Sequence, residues 1–344
     1  MLKKFIIKRL LTLPLILFIL SGLIFSLVAF LSPYERLAVF IPDPEVYAQA
    51  PVEELVILYG LDEAIHIQYL NWLKNVFLGD LGWSPSARMP VSRALSSRFP
   101  ATVELMLLGQ LVIFFGGIAI GTYTAKNHNK LGDHFFRFMT TLGIAFPGFV
   151  VGLLLLVIFY SWLGWFPPGR LSPWAMDVVG SLEFQRYTGM NTLDGILNGR
   201  FDVFLNSLRH MILPAFAYSL STLAATIRLM RSSLLETLRK DYIYTARSKG
   251  LSEKVVVNKH ARRNALLPVI TFMGTSVPIM FGGAVIIETV FGYPGMGLFI
   301  VQAAHGLDFP AILGSALLVG VVIVFVNLVV DLLYRILDPT IRYD

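Results

Sequence analysis

Six stretches without any charged side chain divide this sequence, and they constrain its fold more than any other feature. Each is close to the roughly 20 residues that a helix needs to cross the hydrocarbon of a bilayer. With histidine taken as neutral, they are Leu10–Tyr34, Leu105–Ala125, Phe138–Gly169, His210–Ile227, Asn264–Ile287 and Phe309–Val330. Only 15% of the residues are charged, where a soluble domain has about 25%. The sequence therefore predicts an all-α integral membrane protein with six transmembrane helices.

Basic residues flank these stretches in a consistent pattern. They cluster between Lys3 and Arg9, between Lys126 and Arg137, and in the long loop that begins at Arg228. Because cytoplasmic loops have the excess of Lys and Arg, both termini are expected to lie inside. The first stretch is longer than a signal-peptide core and is predicted to remain as a span. This topology explains the net charge of +6 better than nucleic-acid binding does.

Three parts follow from the spans and loops. They are an N-terminal cytoplasmic segment with the first transmembrane helix (1–31), an extracytoplasmic insertion (32–99), and a core with five transmembrane helices (100–344) that includes a cytoplasmic loop (228–268). In the insertion, one helix is predicted to start at Pro51 and stop at Gly60, and another to run from Asp62 to Gly79. No firm domain is predicted in the second external segment, Trp162–Arg209.

The cytoplasmic loop is too polar to lie in lipid, but it has helix signals. Between Arg228 and Arg263 it contains ten Lys or Arg and three acids. Ser232 or Ser233 is predicted to cap a helix that runs through Ala246 and has Arg247 and Lys249 in its last turn.

After that helix, Gly250 is placed where a left-handed residue ends a helix. Ser252 is predicted to cap a second helix, and Pro268 to mark entry into the next span. Two capped helices in a basic loop indicate a docking site. The alternative is that the loop only sets the orientation of the protein in the membrane.

Two runs in this loop resemble a known family. Asp241–Leu251 reads Asp-Tyr-Ile-Tyr-Thr-Ala-Arg-Ser-Lys-Gly-Leu, and His260–Pro268 reads His-Ala-Arg-Arg-Asn-Ala-Leu-Leu-Pro. They resemble the coupling loop of ABC importer permeases, in the dipeptide/oligopeptide (peptide/nickel) branch. Of the general Glu-Ala-Ala-x-x-x-Gly pattern, only Ala246 and Gly250 match. Tyr244 and Thr245 replace the Glu and the first Ala, so no role of that Glu can be transferred.

The resemblance implies a type I ABC importer permease fold and a place in the inner membrane of a prokaryote. It implies as partners a homologous second permease subunit, two ATPase subunits and an extracytoplasmic solute-binding protein, besides membrane lipid. ATP and magnesium are then expected on the ATPases, with no cofactor in this chain. Peptides or related oligomeric solutes are the implied substrates, and oligosaccharides or nickel complexes are the alternatives.

By the same resemblance, one run of the loop is expected to couple this chain to an ATPase subunit. Ala246 is expected to face the ATPase groove, because it continues a helical stripe of Leu235, Leu238 and Tyr242. The residues assigned to coupling are Asp241, Tyr242, Thr245, Ala246, Arg247, Lys249, Gly250 and Leu251.

Glu288, Ser276 and Pro147 are candidates for a pathway or gate. Glu288 and Glu104 lie near outer ends of spans, and an ionisable group in a membrane protein is a functional candidate. The simpler interpretations are an interfacial carboxylate, a helix-packing hydroxyl at Ser276 and a packing kink at Pro147. A further acid, Asp331, is expected to pair with Arg335 one helical turn later.

Several kinds of chemistry have no motif in this sequence. There is no Gly-x-x-x-x-Gly-Lys phosphate loop, no His-Glu-x-x-His and no cysteine. ATP hydrolysis is therefore expected on other subunits. Two other classes remain as alternatives. A secondary transporter would show internal repeats and charges at span centres. An intramembrane hydrolase using Ser276 would need a base, and the last span has no histidine.

Overall fold

The structure, a computed structural model, describes residues 2–41 and 50–337. As predicted, this part of the chain is mostly helical. The helices are α1 (Leu2–Val28), α2 (Pro33–Phe40), α3 (Val52–Leu58), α4 (Ile65–Phe77), α5 (Val91–Lys126), α6 (Leu131–Ala145), α7 (Gly148–Leu155), α8 (Pro173–Gly180), α9 (Asn191–Leu197), α10 (Phe201–Thr237), α11 (Asp241–Ser248), α12 (Glu253–Val255), α13 (Arg262–Phe291), α14 (Met296–His305) and α15 (Phe309–Leu337). Two π-helical segments, Leu156–Trp162 and Val256–Ala261, continue α7 and α12. Two short strands, β1 (Trp83–Ser84) and β2 (Met89–Pro90), pair antiparallel.

Among the described residues, four helical stretches are long and apolar enough to cross a membrane. They are Val91–Lys126, Phe201–Thr237, Glu253–Phe291 and Phe309–Val330. A fifth candidate is the bent pair formed by α6 and the helix after it. The first predicted span falls on α1, in which Pro14–Ser26 forms a shorter apolar stretch. The number of six spans thus stays a prediction.

The third predicted span is broken at Pro147. Two helices, Leu131–Ala145 and Gly148–Trp162, meet there at an angle of 106°. Phe146 is extended, with ψ 129°, because the proline ring disfavours helical backbone in the residue before it. The prediction of a kink within one helix was therefore wrong, since Pro147 ends one helix and precedes the next.

The described residues fold into two compact units. The first comprises Met1–Thr102 and Pro294–Leu328. A core of Phe25, Leu37, Trp72 and Leu313, each nearly inaccessible to solvent, holds α1, α2, α4 and α15 together. The three parts predicted from spans and loops (1–31, 32–99 and 100–344) do not correspond to these packing units, and they stay a prediction.

The external insertion has the two helices expected after Pro51 and Asp62. Helix α3 begins beside Pro51 and is followed by Gly60 at φ 64°. Helix α4 begins at Ile65, after the N-cap Ala64, so the predicted start at Asp62 was wrong by three residues. Gly79, at φ 82°, follows its end as expected.

The second unit comprises Val103–Tyr293 and Val329–Asp344, and α10 lies at its centre. Helices α6, α7, α9 and α13 pack against α10. Gly117 and Gly121, four residues apart on α5, allow residues of α10 to approach closely. A Cβ on Gly117 would lie 2.5 Å from Thr226, and one on Gly121 would lie 2.6 Å from Met230.

The second external segment is more ordered than the sequence indicated. It contains α8 and α9, and its own small core includes Leu171, Ala175 and Val203. Ser172 and Asn206 exchange two hydrogen bonds, one through the Ser172 amide and one through its hydroxyl. This segment is therefore built as a compact layer at the start of α10.

Candidate functional site

The cytoplasmic loop forms a short helix between two very long ones. Helix α10 continues without interruption through Ser232 and Ser233 to Thr237, so the prediction that either serine caps a new helix was wrong. The Ser232 hydroxyl instead donates to the Leu229 carbonyl of its own helix. Leu238–Lys240 then turn the chain, and α11 begins at Asp241.

Two residues of α11 face the interior of this chain. Ile243 is fully buried, and Ala246 is only 7% exposed. Helix α11 packs against the π-helical segment, in which Val256 and Val257 are also buried. The expectation that Ala246 presents itself to an ATPase groove was therefore wrong. It assumed one continuous helix from Leu235 to Ala246, whereas the turn at Leu238–Lys240 rotates α11 out of that register.

The opposite face of α11 is open to solvent. At 100° per residue, Asp241, Tyr244, Thr245 and Ser248 lie on the side away from the two buried residues, and all four are exposed. Two further aromatic and aliphatic side chains, Tyr242 and Leu251, are 42% and 38% exposed. Arg247 and Lys249 are exposed as well. Most of the residues assigned to coupling are thus available to a partner.

The end of α11 has the geometry that the sequence indicated. Gly250 has φ 77°, in the left-handed region that glycine adopts without strain. Ser252 occupies the N-cap position of α12, although its side chain makes no capping hydrogen bond. Across this turn the Arg247 guanidinium donates to Glu253, with the closest atoms 2.8 Å apart. The Glu253 carboxylate raises the pKa of Arg247.

The second helix of the loop is not a separate element. Glu253–Phe291 is one continuous helical stretch of 39 residues, with Pro268 inside α13. At its start, the Tyr242 hydroxyl accepts a hydrogen bond of 2.7 Å from Asn264. On the other side, Lys126 donates to Asn258 across 3.0 Å. Helix α11 is therefore tied directly to the base of a helical stretch that is long and apolar enough to cross a membrane.

The candidate pathway residues occupy different environments. Glu288 is fully buried near the end of α13, within electrostatic range of Tyr218 and Tyr293. Ser276 is 5% exposed and donates to the Met273 carbonyl, an arrangement that suits a packing hydroxyl. The proposed pair of Asp331 and Arg335 lies outside the described side chains.

Glu104 is the centre of a buried polar network. Its Oε2 accepts a hydrogen bond from Arg170 at 2.7 Å, and its Oε1 accepts from the amide and the hydroxyl of Thr192 at 2.6 and 2.7 Å. The Tyr293 hydroxyl donates to the same carboxylate across 3.4 Å. The Arg170 guanidinium also donates to the Gly189 carbonyl. The network joins the second external segment to α5 and to the end of α13.

The sequence singled out Glu104 but missed its partners. Arg170 and Thr192 are 66 and 88 residues away in the chain, in a segment for which no domain was predicted. The only sequence signal was an arginine directly after an apolar stretch. In the part of the chain that the structure describes, no three His, Asp or Glu side chains lie close enough together to hold a metal ion.

Two family models match this chain. The model of the binding-protein-dependent transport system inner membrane component matches residues 117–343, which include the cytoplasmic loop and α13. A model of the N-terminal part of such membrane components matches residues 1–106.

Several curated proteins are similar over most of their length. The probable D,D-dipeptide transport system permease protein of Escherichia coli is 40% identical over 86% of this chain and 85% of its own. The oligopeptide transport system permease protein of Bacillus subtilis is 37% identical over 88% of each chain. The di/tripeptide transport system permease protein of Pseudomonas aeruginosa is 38% identical over 88% and 87%.

These matches and the apolar helices agree with the resemblance found in residues 241–268. The chain therefore belongs to the inner membrane components of binding-protein-dependent transport systems, the multi-pass permease subunits of ABC importers.

Proposed function

We propose that this chain is one of two permease subunits of an ATP-driven importer of peptides or related oligomeric solutes. The names of its relatives, which refer to D,D-dipeptides, oligopeptides and di/tripeptides, support that substrate class. A homologous permease subunit forms the other half of the pathway, and an extracytoplasmic solute-binding protein delivers the substrate. Two cytoplasmic ATPases bind ATP and magnesium, and this chain catalyses no reaction. Both of its termini are cytoplasmic.

The observation that supports coupling most directly is the two-sided character of α11. One side, with Ile243 and Ala246, is buried against the base of the 39-residue helix, while the other side is exposed. An ATPase that binds the exposed side can move α11 only together with that base. The Arg247–Glu253 ion pair and the Asn264–Tyr242 hydrogen bond bridge the two elements.

The long helix then transmits the movement across the membrane. Glu253 lies at its cytoplasmic start, and Glu288 lies buried near its other end, within electrostatic range of Tyr218 and Tyr293. Closure of the ATPases on ATP shifts the permease between an inward-open and an outward-open state, provided that the bound nucleotide favours one of them. Glu288 gates the pathway at its outer end.

Coupling is tested by removing an exposed aromatic side chain from α11. Exposed tyrosines often dominate the affinity of interfaces. Tyr244→Ala is therefore expected to weaken association with the ATPases, measured by titration of the purified subunits, by about tenfold or more. Tyr187→Ala is the matched control, because Tyr187 is 59% exposed and Tyr244 is 55% exposed, but Tyr187 lies in the external segment. Equal affinity for both variants would show that α11 is not the docking element.

The substrate class is tested in proteoliposomes that contain both permeases, the ATPases and the binding protein. A dipeptide is expected to accumulate only with ATP, and an oligosaccharide or a nickel complex is not. Accumulation of either alternative in place of the dipeptide would replace the peptide assignment and leave the coupling proposal intact. Accumulation by this chain alone would contradict both.

A further inference from the structure

Two arginines at the ends of different apolar runs line a single cavity. Arg137 directly precedes the apolar run of the third predicted span, and Arg228 directly follows that of the fourth. Helices α6 and α10 pack together, so both side chains reach the same cavity of about 690 Å³. Its position beside two hydrocarbon-length runs places it at the level of the lipid headgroups on the predicted cytoplasmic side.

A third arginine in the wall is already neutralised. Arg231 donates two hydrogen bonds of 2.7 Å to the carboxylate of Asp133, which is fully buried, so the pair contributes no net charge. Arg137 and Arg228 are both exposed, and neither guanidinium makes a hydrogen bond or ion pair within residues 2–41 and 50–337. The charge of Arg137 acts on Asp133 only at longer range. The cavity therefore has about two uncompensated positive charges.

The rest of the lining is partly polar and partly apolar. The hydroxyl-bearing side chains of Thr141 and Ser232 lie near the arginines. Ile144, Ala225 and Leu229 supply apolar wall, and Ile144 is 44% exposed. Ile144 lies seven residues beyond Arg137 on the same helix, about 10 Å farther along α6. A cationic rim that continues into an apolar wall matches a phosphate group with an attached acyl chain.

We propose that this cavity binds the headgroup of an anionic phospholipid, with Arg137 and Arg228 as the phosphate-binding residues. Arginine offers a planar fork of donors that suits phosphate oxygens. Basic pockets between transmembrane helices on the cytoplasmic side are a recurring type of lipid site. The apolar wall distinguishes a lipid from a free anion, because inorganic phosphate gains nothing from Ile144 and Leu229. This site is independent of the transported substrate.

The test is native mass spectrometry of the full chain in neutral detergent, titrated with phosphatidylglycerol or with phosphatidylcholine of the same acyl chains. Wild type is expected to bind one phosphatidylglycerol more tightly than phosphatidylcholine. Each basic residue at an anionic lipid surface is typically worth about fivefold in affinity. Arg137→Gln with Arg228→Gln is therefore expected to weaken phosphatidylglycerol binding by about thirtyfold.

Two further variants separate a specific site from a general charge effect. Lys130→Gln with Lys259→Gln removes the same charge from residues that do not line the cavity, and it should retain the affinity. Arg137→Lys with Arg228→Lys keeps the charge and should retain most of it. The proposal is overturned if Arg137→Gln with Arg228→Gln binds phosphatidylglycerol as tightly as Lys130→Gln with Lys259→Gln does.

A competition experiment distinguishes the lipid from smaller anions. Glycerol phosphate and a dipeptide are each added at the concentration of phosphatidylglycerol that saturates the site. Neither is expected to displace the lipid, because neither contacts the apolar wall. Displacement by glycerol phosphate would make this a free-anion site, and displacement by the dipeptide would make it part of the substrate pathway. Either result would contradict the lipid assignment.

Discussion

Arg170 donates a hydrogen bond to Glu104 across 2.7 Å, and this buried ion pair joins the second external segment to α5, just before its charge-free run. Side chains of Glu104 and Arg170 are 3% and 13% exposed. The Thr192 amide and hydroxyl occupy the other oxygen of the carboxylate. A buried charge with this many partners fixes the position of the segment that holds them.

Removing the Arg170 charge alone should therefore destabilise the fold more than removing the charges of both Arg170 and Glu104. Arg170→Met leaves the Glu104 carboxylate buried without its cation, which typically costs about 3–5 kcal/mol. Adding Glu104→Gln removes that charge, so the double variant should regain much of the loss. Thermal unfolding in detergent measures the two steps of this cycle.

The control is an exposed ion pair in the same region. Arg200 pairs with Asp202, and their side chains are 42% and 48% exposed, so Arg200→Met should change the melting temperature very little. If Arg170→Met lowers the melting temperature as little as this control does, the buried Glu104 carboxylate does not need Arg170 for its stability.

The same new charge should act differently on the two sides of α11. Ala246→Asp places a carboxylate in a buried position, so α11 is expected to loosen and its amides to exchange faster with solvent. Thr245→Asp adds the same charge to the exposed side and should leave amide exchange unchanged. Both are expected to reduce ATPase association, Ala246→Asp through lost structure and Thr245→Asp at the interface. Fast exchange in both variants would contradict the assigned orientation.

The turn after α11 should tolerate substitutions in the order of their left-handed propensity. At Gly250 an added Cβ meets nothing within 4 Å, so the cost arises from φ 77° alone. Gly250→Asn should destabilise the turn only slightly, Gly250→Ala should destabilise it by about 1 kcal/mol, and Gly250→Val should destabilise it more.

Stimulation of the ATPases by substrate and binding protein should fall in the same order. Gly282→Ala is the control, because Gly282 lies inside α13, has no positive φ and also has open space at its Cβ. Equal activity of Gly250→Val and Gly282→Ala would remove the turn from the coupling mechanism.

The predicted topology can be read from single cysteines, since the chain has none of its own. Glu54→Cys and Lys254→Cys are both at exposed positions, so burial does not decide their reactivity. An impermeant thiol reagent added to intact cells should label the first and spare the second. After the membrane is made permeable, both should react. Labelling of Lys254→Cys in intact cells would invert the topology.

Local signals in the sequence predicted the features that depend on neighbouring residues. The apolar runs mark helices because a bilayer tolerates few charges within about 20 residues. Gly60, Gly79 and Gly250 follow helix ends at positive φ, since a glycine pays no steric penalty there. The family resemblance of the cytoplasmic loop was confirmed for the same reason, because its motif is contiguous.

Features that depend on distant residues were missed or misread. The break at Leu238–Lys240 rotates α11, so Ala246 turns inward although an unbroken helix predicted the reverse. The sequence indicated that Pro147 disturbs a helix. The packing around it determines that two helices meet there at 106° instead of one helix with a mild kink. The helical periodicity of the sequence predicts neither the orientation of Ala246 nor the bend at Pro147.

By itself, the sequence determined that this chain is a helical membrane protein with a basic loop that contains helix signals, because charge segregation and turn chemistry act over a few residues. Only the tertiary structure decided which polar groups meet. Arg170 and Thr192 converge on Glu104, and Arg137 and Arg228 line one cavity, across separations of 66 to 91 residues. The first cluster forms because the buried charge of Glu104 needs partners, and the two arginines come together because α6 packs against α10. Neither cause can be read from local spacing in the sequence.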